Sequence, residues 1–144
     1  MIKIDNGMFV PSAETARILI EDAKRLISAG YLSPLLYGWE AFLDDEARIR
    51  EEIGETIENM LQSYGVSMKS ERIARSILVG NSGWAAFFWA EFQKSFPVSE
   101  YKRWEFMQAV CAELKQALQS GYCFRGEWGT LVYDEKQDTV SIRP

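Results

Sequence analysis

Residues 33–65 read SPLLYGWEAFLDDEARIREEIGETIENMLQSYG, and this stretch decides the fold class. Ser33 followed by Pro34 is a helix start. The hydroxyl caps a free backbone N–H, and proline in the first helical position gives up only an N–H that has no partner there. Leu35, Trp39, Phe42, Ile49, Ile53, Ile57, Met60 and Tyr64 then return to one side of a helix turning about 100° per residue. Glu46 would fall on that apolar side if the helix ran unbroken. The spacing therefore predicts a bend at Asp44-Asp45, where an aspartate caps a second helix. Gly65 is expected to end the run.

The same grammar extends in both directions. Upstream, Ser12 is an N-cap with Glu14 in the first turn to meet the helix dipole. Ala16, Leu19, Ile20, Ala23, Leu26 and Ile27 share one face, and Gly30 closes the helix. Before it, Ile2 and Ile4 alternate with Lys3 and Asp5, Asn6-Gly7 is a hairpin-type turn, and Met8-Phe9-Val10 is apolar. Downstream, Ser67 or Ser70 opens a shorter helix to Val79, and Gly80-Asn81-Ser82-Gly83 is a turn. An aromatic helix follows from Trp84 to Ser95 and stops at Pro97. Ser99 opens a long helix to Ser120, with Trp104, Met107, Cys111, Leu114 and Leu118 on one face. In the tail, Thr130 to Tyr133 and Thr139 to Ile142 read as two strands joined by polar residues. An isolated hairpin is marginal in water, so the N-terminal extended segment is the expected third strand. The reading is a mainly α, α+β single domain over 1–144. It has five or six helices and a small antiparallel sheet formed by the C-terminal hairpin and the N-terminal strand.

Composition limits the chemistry. The chain has 144 residues, 47% of them apolar and 13% aromatic, with a formal charge of −5 at pH 7. A domain of this size buries roughly 68–70% of its unfolded surface and needs no metal or disulfide to hold a core. Net acidity repels phosphate backbones, so direct nucleic-acid binding is disfavoured and a basic partner is favoured. The sequence contains no histidine, which excludes Ser–His and Cys–His nucleophiles and histidine-ligated metals. Cys111 and Cys123 are too few for a disulfide framework or a cysteine-only zinc site, and no cofactor motif is present. The expected location is cytoplasmic, with no signal-like N-terminus and no membrane span.

Several constellations carry possible chemistry. Glu51, Glu55 and Glu58 stand at i, i+4 and i+7, an acidic ridge opposite the apolar side. Glu40 and Asp44 join it if the helix is continuous, and Arg48 and Arg50 offer partial compensation. The ridge reads either as a solvated face or as a contact surface for a basic protein. Carboxylates on one helix face leave most of a Mg²⁺ shell to water, which disfavours a metal there. Trp84, Phe87, Phe88, Trp89 and Phe92 suit a central core helix. Glu91 among those rings is a carboxylate open to an acid/base role. Gly80 to Gly83 lacks the lysine of a phosphate loop. Lys69, Arg72 and Arg75, with Lys102 and Arg103, are interleaved with glutamates. Trp128, beside Arg125 and Glu127 and between two glycines, is an anchor-type interface residue.

The resulting expectation is a non-catalytic protein-binding module. Its sharpest form is a cognate inhibitor, such as a bacterial immunity protein that neutralises a basic, nuclease-type toxin. Asp44, Glu51, Glu55, Glu58 and Trp128 are the expected partner-binding residues, since acidic side chains steer a cationic partner. The alternatives are a phage-type inhibitor of a host defence complex, an adaptor or subunit, and a small carboxylate-dependent enzyme using Glu91 or Cys123.

Overall fold

A computed structural model describes residues 3–5, 8–67, 94–126, 129–137 and 139–143. Among them are four α-helices, a short 3-10 turn and five strands. The strands are β1 (Lys3–Asp5), β2 (Met8–Val10), β3 (Phe124–Gly126), β4 (Gly129–Asp134) and β5 (Thr139–Arg143). The helices are α1 (Ala13–Ser28), α2 (Pro34–Trp39), α3 (Glu46–Ser67) and α4 (Glu100–Gln119). The mainly helical α+β class agrees with the sequence. The helix count among the described residues is four against the five or six expected. The helices read from Ser67 or Ser70 to Val79 and from Trp84 lie outside the described residues, except for their ends at Ser67 and Ser95.

The caps form where the side chains allow them. The Ser12 hydroxyl accepts the Thr15 N–H at 3.3 Å, and the Ser33 hydroxyl accepts that of Leu36 at 3.2 Å. The bend at Asp44-Asp45 is present. A 3-10 turn over Glu40–Phe42 follows α2, and the Asp45 carboxylate then accepts the Arg48 N–H at 3.1 Å to start α3. Gly65 does not end α3, which continues to Ser67. Gly30 and Gly121 close α1 and α4 with positive φ of 83° and 97°. In each, the residue after the glycine donates back to a carbonyl five positions earlier: Tyr31 to Leu26 and Tyr122 to Ala117, both at 3.0 Å. Only glycine enters that left-handed backbone at little cost.

α1 and α4 run antiparallel, because the start of α1 meets the end of α4 at Ser12 and Glu113 while its end meets the start of α4 at Asp22 and Ser99. Between them and α3 lies the core of Leu19, Ile20, Ile49, Ile53, Ile57, Phe106, Val110, Leu114 and Leu118. The fully buried isoleucines of α3 stand four residues apart, which explains their shared face. Trp104, expected inward, is 47% exposed, and the buried side of α4 begins at Phe106.

The sheet arrangement corrects the expectation. The N-terminal segment is not the third strand of the C-terminal hairpin. It folds on itself, β1 antiparallel to β2 with Asp5 opposite Met8. The third C-terminal strand is β3, giving the order β3-β4-β5 with Phe124 opposite Leu131 and Leu131 opposite Ile142. The reason is proximity along the chain: β3 needs only a short connection to pair with β4, so little loop entropy is lost. The two sheets still meet through side chains. Phe9 of β2 packs against Tyr122 and Phe124, with ring centroids 6.2 and 5.6 Å away.

Candidate protein-binding surface

The ridge is decided by how β2 sits on α3. Gly54 is buried, and a Cβ built on it would collide with the carbonyl oxygen of Phe9 and stand 3.1 Å from the carbonyl carbon. β2 therefore lies directly against the α3 backbone. Glu58, one turn further along, falls beneath the strand. Its Oε1 accepts the Phe9 N–H at 2.9 Å and the Tyr122 hydroxyl. Burial, and then that bond to Glu58, raise the Tyr122 phenol above its ordinary value. Glu58 thus departs from the exposed ridge to which its spacing assigned it, because the hairpin covers that edge of the helix.

Glu51 and Glu55 remain exposed, and Glu52 joins them. None of the three forms an ion pair among the described residues. The two arginines expected to offset the ridge are drawn elsewhere. Arg50 donates to the carbonyl oxygen of Pro11 at 2.7 Å, and the Arg48 guanidinium lies 3.8 Å from the centre of the Phe42 ring. Asp44 is exposed and paired with Lys24 of α1 at 2.9 Å, while Glu46 is paired with Arg17 at 3.0 Å. The outer face of α3 thus carries Glu51, Glu52 and Glu55 with no ion pair among the described residues, while Asp44 and Glu46 at the start of the helix are tied to α1. Glu52 lies about 100° round the helix from Glu51 and so outside the ridge that spacing defines; the position of β2, which covers Glu58 and leaves Glu52 exposed, is a tertiary fact. Trp128 and Glu91 lie outside the described residues.

The buried carboxylates serve the scaffold. Asp22 accepts the Ser99 N–H at 2.6 Å, the Ser99 hydroxyl at 3.0 Å and the Arg25 guanidinium at 2.9 Å. Glu113 accepts the Ser12 N–H at 2.7 Å. Its second oxygen is buried without a hydrogen-bond partner among the described residues. Both carboxylates hold helix starts in place. Cys111 is buried, which pushes its thiol up to about 12 and makes it a poor nucleophile at neutral pH. Cys123 is half-buried. Among the described residues no group of three or more acidic or cysteine side chains is placed to hold a metal ion, and no helix is long and apolar enough to cross a membrane. Compared with known proteins, the chain matches no family model, no curated protein sequence and no solved structure.

Proposed function

We propose that this protein is a non-catalytic binding module that captures a basic protein partner on the outer face of α3. Its sharpest form is a cognate inhibitor of the immunity-protein type acting on a cationic, nuclease-type toxin. The observation that carries this reading is the exposed Glu51, Glu52 and Glu55 triad, none of which forms an ion pair among the described residues. Neighbouring carboxylates on a helix repel each other, and a cationic surface relieves that repulsion on docking while its approach is steered by the same field. The scaffold beneath suits the role, since β2 and the buried isoleucines fix α3 before any partner arrives and so reduce the entropy lost on binding.

The test is capture of the tagged protein's partner from its own cells, read by mass spectrometry at low and at moderate salt. A stoichiometric basic partner, released as salt rises, supports the reading. Reversing Glu51, Glu52 and Glu55 to Lys should abolish capture while circular dichroism and melting stay nearly unchanged. Glu58 is left unchanged, since its carboxylate accepts the Phe9 N–H and the Tyr122 hydroxyl inside the scaffold. Capture that survives the triple reversal sinks the proposal.

A further inference from the structure

The junction of α1 and α2 leaves three large apolar side chains in water. Tyr31 is 62% exposed, Leu32 89% and Tyr37 76%. Leu32 directly precedes the Ser33 cap, and Tyr37 is the fourth helical residue. Side chains at those two positions ordinarily close over a helix start as a hydrophobic staple. Here Leu36 is buried beside them while both staple positions stay open. Glu40, three residues after Tyr37 on the same side of the chain, is exposed and has no ion pair among the described residues.

Elsewhere the protein places its own cations on such rings. Arg48 covers Phe42, and Arg25 and Lys102 stand 6.0 and 5.5 Å from the centre of Tyr101. Tyr37 has no such cation among the described residues.

We infer that Leu32, Tyr37 and Glu40 receive an arginine-bearing segment of the basic partner, a contact that rests on the reading of α3 given above. A guanidinium laid on the Tyr37 ring gains a cation–π contact and presents its N–H fork to a carboxylate one turn along. Its methylene stem covers Leu32. Charge complementarity selects this occupant: Glu40 beside Tyr37 is exposed with no ion pair among the described residues, and further along the chain stands the equally exposed acidic triad. Lysine has neither the planar face nor the fork, so the site discriminates between the two cations.

The test is an NMR titration of the full ¹⁵N-labelled chain with a short oligo-arginine peptide and an oligo-lysine peptide of equal length, at roughly 50 mM and 300 mM salt to vary the screening. The arginine peptide should shift the amides of residues 32–40 as well as those of α3. It should bind roughly two- to fivefold more tightly than the lysine peptide, the range expected of an exposed cation–π contact. Tyr37→Ala should erase that preference and leave the weaker, shared binding in place. Equal affinities with shifts confined to α3 would overturn this inference and leave the acidic-face reading standing. No binding of either peptide at low salt would overturn both. Concentration-dependent self-association that Tyr37→Ala abolishes would assign the patch to a second copy of the chain and overturn the inference alone.

Discussion

One oxygen of the Glu58 carboxylate accepts both the backbone N–H of Phe9 and the hydroxyl of Tyr122. A single side chain in α3 thereby holds a strand 49 residues before it and a segment 64 residues after it. The hydroxyl must stay protonated to donate, and that requirement makes the joint sensitive to base.

The phenol of Tyr122 is raised above 10.0 in the folded protein, first by burial and then by Glu58. Folding therefore favours the neutral form. This contribution is complete below the unfolded-state value and is lost as pH climbs through the folded-state one. Urea denaturation across a pH series should show wild-type stability falling from about pH 10 upward. Tyr122→Phe should fall less steeply over that window. At neutral pH it should be less stable by about 1.5 kcal/mol, the loss of one hydrogen bond to a charged acceptor. Parallel pH profiles for the two proteins would show that the phenol does not titrate against folding.

Gly54→Ala inverts an ordinary rule. In an exposed helix interior the change adds about 1 kcal/mol of stability. Here the methyl group meets the backbone of Phe9, which cannot swing aside as a flexible side chain would. The variant should lose about 1–3 kcal/mol, the usual cost of overpacking, and its largest amide shifts should fall in β2. A stabilised variant would mean that β2 does not rest on α3.

Asp22 ties α1 to the first residue before α4. Asp22→Ala leaves the Ser99 N–H without its acceptor and frees Arg25, and should cost about 3 kcal/mol, the lower end for breaking a buried pair because Arg25 is half in water. Asp22→Asn keeps one oxygen for Ser99 and should fall between the two. Differential scanning calorimetry ranks the three proteins. An Asp22→Ala melt equal to wild type would remove the clamp from the account of stability.

Much of the scaffold was legible in the sequence because its signals are local. Ser12, Ser33 and Asp45 announce helix starts, Gly30 announces an end, and the spacing of Ile49, Ile53 and Ile57 announces a buried face. The misreadings concern what meets what. Nothing in the periodicity of α3 marks Gly54 as the place where a strand presses on the helix, so spacing alone groups Glu58 with the exposed Glu51 and Glu55. The N-terminal segment and the tail are both β-rich, and pattern alone does not say whether they pair with each other or with their own neighbours. Tyr37 and Leu32 sit among apolar residues in the sequence, and only the burial of Leu36 beside them reveals that they are left outside.

The hydrogen bond from the Ser12 N–H to Glu113 closes a loop of 101 residues, and Phe9 completes its packing only when Phe124 reaches it. During synthesis, then, β2 leaves the ribosome well before the segments that seal it. Contacts this distant along the chain slow folding. Until they form, the buried faces of Phe9 and the α3 isoleucines are open to the cell's chaperones.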